Sequence, residues 1–111
     1  MCACALLLAG CESPSEKKLV GKWRSCDNLC TILILNVDHT FSENFDDKKL
    51  PAGYSGTWRL EGDNLVLHAT SADELFESML SADQRRTISK FRRNSFVTAQ
   101  FEDIRLWERV H

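Results

Sequence analysis

No stretch of this 111-residue chain has the eighteen or so consecutive apolar residues that a spanning helix needs. Surplus positive charge is missing as well: 14 Lys and Arg stand against 16 Asp and Glu, a formal net charge of −2. That balance argues against nucleic acid as a partner, which would call for clustered excess Lys and Arg. The basic cluster Arg85, Arg86, Lys90, Arg92 and Arg93 has acidic residues on both sides and reads as a solvated strand face. The chain also lacks a Gly-rich phosphate loop, paired metal ligands and a nucleophile elbow. His39, His68 and His111 fall in no recognisable constellation. The expectation is a non-enzyme without metal or cofactor.

Hydrophobic residues make up 43% and charged residues 27%, an ordinary globular composition for one domain. A core is possible at this length but not a generous one. The longest apolar run, "ACALLLAG" from Ala3 to Gly10, is too short to span a bilayer but has the length of a signal-peptide core.

That run ends in Leu8-Ala9-Gly10-Cys11, which resembles the lipobox of bacterial lipoproteins. The resemblance implies acylation of the Cys11 thiol, palmitate among the chains, and cleavage just before it. Small residues at Ala9 and Gly10 suit entry into a peptidase site. No Lys or Arg precedes Lys17, although a signal peptide needs a positive start, so the natural precursor is expected to begin upstream of Met1. The implied organisation is a removed segment 1–10, a lipidated Cys and tether 11–18, and a folded domain 19–111. "ESPSEKK", Glu12 to Lys18, has the composition of a tether. Two or more acyl chains would anchor the protein stably in a bacterial envelope membrane. Glu12 in place of Asp after the Cys favours, by the same resemblance, an outer-membrane location facing the periplasm. The alternative for this stretch is a buried N-terminal strand or helix.

There are five Cys. With Cys2 and Cys4 removed and Cys11 acylated, Cys26 and Cys30 remain, an even pair in an oxidising compartment. They flank Asp27-Asn28-Leu29, which looks like a three-residue hairpin loop, and opposed hairpin residues lie within disulfide range. The expectation is a structural Cys26–Cys30 disulfide; a redox pair or a metal-binding C-x3-C is the rival.

From Leu19 the pattern is largely period two. "LVGKWRS" puts Leu19, Gly21 and Trp23 on one face, and "TILILNV" is apolar on both. Asp38-His39 is a turn, with His39 in the left-handed region. Phe41 and Phe45 share a face. "KKLPAG" is a loop, and "YSGTWRL" aligns Tyr54, Gly56, Trp58 and Leu60. Glu61 to Asn64 is a hairpin turn into "LVLHA", with Leu65, Leu67 and Ala69 inward and His68 outward. The period then changes. "SADELFESML" predicts an amphipathic helix over about Ala72 to Leu80, with Ser71 and Glu74 as a capping box and Ala72, Leu75, Phe76, Met79 and Leu80 on one face. Strands resume with "RTISKF", "SFVTAQF" and "IRLWERV". About eight short antiparallel strands and one inserted helix predict an all-β, up-and-down barrel.

Several of these motifs resemble small bacterial lipocalin-like domains. Gly21-Lys22-Trp23 is similar to the lipocalin Gly-x-Trp motif. "LNVDHTFSENF" resembles an Asp-Gly-Thr-Phe turn with His39 in place of Gly, and "GTWRLEGDNLVL" a Gly-x-Trp hairpin. "LWERV" resembles the closing strand, and the resemblance implies that Arg109 packs across Trp23 through a cation–π contact. The chain departs from the family in its short length and in the position of its helix, between strands five and six. Trp23, Phe41, Tyr54, Trp58, Leu67 and Phe96 are expected inside, either lining a ligand cavity or filling the barrel. Two functions follow. One is a lipid-anchored module that binds a small hydrophobic ligand. The other is a filled-barrel envelope protein, an inhibitor or structural lipoprotein that touches a protein partner. A connected apolar cavity above about 300 Å³ separates the first from the second.

Overall fold

Alternating inward and outward rows, as the period-two pattern predicts, run along strands that close on themselves. A computed structural model describes residues 13–27, 29–46 and 52–111. The strands are β1 (Gly21–Cys26), β2 (Cys30–Leu35), β3 (Thr40–Phe45), β4 (Gly53–Glu61), β5 (Asn64–Ala72), β6 (Asp83–Ser89), β7 (Ser95–Gln100) and β8 (Asp103–Arg109). They form one closed antiparallel barrel in sequence order, so the expected fold class is the one observed. The architecture is compatible with a lipocalin-like fold.

Turn chemistry fixes the registers. Glu61 pairs with Asn64 around Gly62-Asp63, where Gly62 takes φ +61°, a region open to Gly without steric penalty. His39 sits at φ 69°, as expected. The Asp38 carboxylate stabilises that turn by accepting from the Thr40 amide at 3.0 Å and its hydroxyl at 2.6 Å. Cys26 lies opposite Cys30, and the expected disulfide joins them across 4.0 Å between Cα atoms.

Antiparallel order divides the barrel ends. The turns at 36–39, 62–63 and 90–94 and the C-terminus gather at one end, here called closed. The disulfide hairpin, the end of β3, the start of β4 and the turn at 101–102 gather at the other, the open end. The closed half is packed with Trp23, Leu33, Leu35, Phe41, Trp58, Leu67, Phe96 and Trp107, among others. Phe96 meets Trp23 edge-on at 4.7 Å and lies near Phe91 and Trp107. Each buried indole N–H finds an acceptor: Trp23 donates to the Leu19 carbonyl, Trp58 to the Asn36 carbonyl and Trp107 to the Thr98 hydroxyl.

Two segments differ from expectation. The expected short inserted helix is present, but as a 3-10 segment, Glu74–Met79, with a non-helical Phe76, rather than as one amphipathic helix over about Ala72 to Leu80. Ser71 and Ala72 belong to β5, Asp73 precedes the segment, and no side chain caps it. Phe76 and Met79 pack on the core, whereas Leu75 and Leu80 are exposed. The stripe therefore does not act as one helical face; β5 runs on through Ala72 by pairing with β4, which takes the expected cap Ser71 and the first expected helical residue. The polar stretch read as a tether is partly structured. Ser15 caps a helical turn, α1 (Glu16–Leu19), by accepting from the Lys18 amide, and Glu16 holds the His39 ring at 2.8 Å. Leu19 is buried as expected, but from α1 rather than from a strand. Segment 1–10, Cys11 and most of the "KKLPAG" loop lie outside the described residues.

Candidate functional site

The inward rows change character along the barrel axis. On β1 Trp23 gives way to Ser25; on β2 Leu35 and Leu33 give way to Thr31; on β3 Phe41 gives way to Glu43. On β6, Ile88 gives way to Arg86 and Gln84, on β7 Phe96 to Thr98, and on β8 Trp107 to Arg105. The closed half is apolar, and on these six strands polar side chains enter toward the open end. At the open end lies a cavity of about 220 Å³, lined by residues of β2, β3, β4, β6, β7, β8 and the 3-10 segment.

Its floor is a buried ion pair. Arg86 and Glu43 are 8% and 6% exposed and pair in bidentate fashion, Nη1 to Oε2 at 2.9 Å and Nη2 to Oε1 at 2.6 Å. Arg86 also donates to the Tyr54 hydroxyl at 2.8 Å and to the Gln84 side-chain oxygen at 3.1 Å, and Tyr54 donates to Glu43. Burial opposes ionisation of Glu43, but the Arg86 guanidinium and these hydrogen bonds outweigh it and hold the carboxyl below its ordinary value. Burial and the Glu43 charge push the Tyr54 phenol up, so it stays a neutral donor. Burial works against the Arg86 charge, and Glu43 restores it. Among the described residues, no buried side-chain nitrogen or oxygen lacks a partner.

The walls contrast. On one side Phe76 from the 3-10 segment meets Phe45 at 5.4 Å and Tyr54 at 5.3 Å, with Met79 beside them. Strand order puts β7 and β8 across the barrel, bringing Gln100, Asp103 and Arg105 to the other side. Arg105 donates to Asp103 at 3.0 Å and to the Thr31 hydroxyl at 3.4 Å.

Of the residues expected inside, Trp23, Phe41, Trp58, Leu67 and Phe96 are in the packed core, and Tyr54 lines the cavity. Arg109 stands over the Trp23 ring at 4.1 Å, as the resemblance implied, and donates to the carbonyls of Val20, Lys18 and Arg93. Arg86 corrects the reading of the basic cluster as wholly solvated: its row points inward, opposite Glu43. The signal was present in the sequence. Glu43 lies between inward Phe41 and Phe45, and Arg86 lies two before Ile88, so parity placed both inside. His68 pairs with Asp83 on the outer face at 2.8 Å. Among the described residues, no group of three or more His, Cys, Asp or Glu is placed to hold a metal ion. The sequence matches no protein-family model and no curated protein.

Proposed function

We propose that this protein is a lipid-anchored envelope protein whose barrel binds a small ligand at its open mouth. The observation that supports ligand binding is the cavity itself. It sits where the inward rows of six strands have turned polar, beside the aromatic wall of Phe45, Tyr54 and Phe76, in a barrel whose other half is packed with apolar side chains. At about 220 Å³ it falls short of the apolar cavity expected of a carrier of hydrophobic compounds. The ligand is therefore small and meets polar groups.

Acylation of Cys11 rests on the lipobox resemblance. On that reading the anchor joins the barrel through α1, at the end opposite the mouth. The four backbone steps from Cys11 to Ser15 span at most about 14 Å. The closed end would then face the membrane and the mouth would face the aqueous compartment. Native mass spectrometry of the protein from its own envelope tests both parts. The expected result is a chain beginning at an acylated Cys11 that retains a small molecule. A chain still carrying residues 1–10 would overturn the anchor, and an empty barrel that binds nothing from envelope extract would overturn the ligand.

One observation favours a protein partner instead. Phe101, Ile104 and Leu106, along the β7–β8 turn and the outer row of β8, are 97%, 71% and 52% exposed. On this second reading, Ile104→Ser with Leu106→Ser would abolish capture of an envelope protein and leave the mouth unaffected.

A further inference from the structure

We propose that the mouth cavity takes one small, uncharged, planar heteroaromatic compound, stacked on the Phe45–Tyr54–Phe76 wall and hydrogen-bonded along its edge to Gln84, Gln100 and Arg105. This rests on the ligand-binding reading and names the ligand class.

Four features of the cavity lead there. Depth limits length: Phe41, Trp58, Phe96 and Trp107 fill the barrel below the Glu43–Arg86 floor, so a long acyl chain has no room to descend. A cavity of about 220 Å³ suits a compound of one ring, not the larger molecules of ordinary ligand pockets. The wall chemistry asks for a flat face and a polar edge. Phe76, in contact with both Phe45 and Tyr54, forms with them a wall of π surface for a planar partner. The facing amides and guanidinium offer donors and acceptors together, so a ring edge that carries both kinds of group is matched.

Charge decides the last point. The charged lining groups are Glu43, Asp103, Arg86 and Arg105, and they cancel. Arg86 is held by Glu43, and Arg105 is held by Asp103. A ligand bearing a net charge would enter without a free counter-ion and would lose hydration uncompensated. A neutral ring loses little on entry and competes only for hydrogen bonds at the polar wall.

Isotope-labelled protein with its disulfide intact is titrated by NMR with four probes. These are nicotinamide, nicotinate, decanoate and N-acetylglucosamine. The expected result is saturable shifts at Phe45, Phe76 and Gln84 with nicotinamide, at an affinity about tenfold or more above the other three. Phe76→Ala lowers nicotinamide affinity about tenfold, and Phe45→Leu, which keeps the bulk of the wall, lowers it less. Val37→Ser at the closed end leaves it unchanged. Tighter binding of nicotinate, decanoate or N-acetylglucosamine at the same residues overturns the uncharged, short or planar part of the proposal respectively, while ligand binding itself stands. Saturable shifts from none of the four overturn this proposal; an envelope extract that then also leaves the barrel empty overturns the ligand-binding reading with it.

Discussion

A single carboxylate, Glu43, links the packing of the barrel to its mouth. Removing one partner of a buried pair leaves the other charge uncompensated, so Glu43→Gln is expected to destabilise the protein by about 3–5 kcal/mol in urea unfolding at pH 7. Replacing both, as Glu43→Leu with Arg86→Met, should leave stability nearly unchanged, because the desolvation of two charges is relieved together. The pH dependence follows from the direction of the Glu43 shift. Its folded value lies below the unfolded one, so its contribution is complete above pH about 4.3 and is lost as pH falls through the lower folded value. The melting temperature should drop steeply below that point in the wild type and less in the double variant. The exposed carboxyls of Glu16, Asp38, Glu61 and Asp83 are lowered by surface partners in the same sense, and solvent screening keeps their share small.

Two elements frame the mouth and hold it in different ways. The first hairpin is closed by Cys26–Cys30 and tied to the end of β3 by Arg24, which pairs with Asp46 at 3.3 Å. A disulfide closing so short a loop restricts the unfolded chain little, so Cys26→Ser with Cys30→Ser should cost about 2 kcal/mol in denaturant unfolding. The 3-10 segment has no capping side chain and rests on Phe76 and Met79. Leu75→Ser should therefore change stability by no more than about 0.5 kcal/mol, whereas Phe76→Ala should cost about 2 kcal/mol. Comparable losses for the two variants would restore the amphipathic-helix reading that the structure replaces.

Closure is a property of the whole molecule, and it depends on a short seam. The register of β1 on β8 pairs Trp23 with Arg109 and Arg24 with Glu108, and the Val110 amide adds a bond to the Lys22 carbonyl at 2.8 Å. Arg109 covers Trp23 at this seam and binds three carbonyls around it. Lys has neither the planar face nor the fork of donors, so Arg109→Lys should cost about 2 kcal/mol. Amide exchange should quicken in β1 and β8 before it quickens in β4 and β5, whose ladder is longer.

The sequence by itself determined the strands, their order and their turns. Alternation at residues such as Trp23 and Trp58, Gly at 62 and the Asp38-His39 turn are local signals, and antiparallel neighbours joined by short turns leave little choice of topology. It also determined the disulfide, because opposed hairpin positions are set by loop length. Only the tertiary structure decided what the barrel holds. Whether Phe96 and Trp107 fill the interior or line a cavity depends on how side chains from all eight strands meet at one level of the axis. The same holds for Arg86, whose neighbours in sequence are surface charges and whose partner, Glu43, is brought to it from three strands away. The short inserted helix was legible too, but its form was not: β5 pairs with β4 through Ala72, so the helix begins at Glu74, as a 3-10 segment seated on the core through Phe76 and Met79.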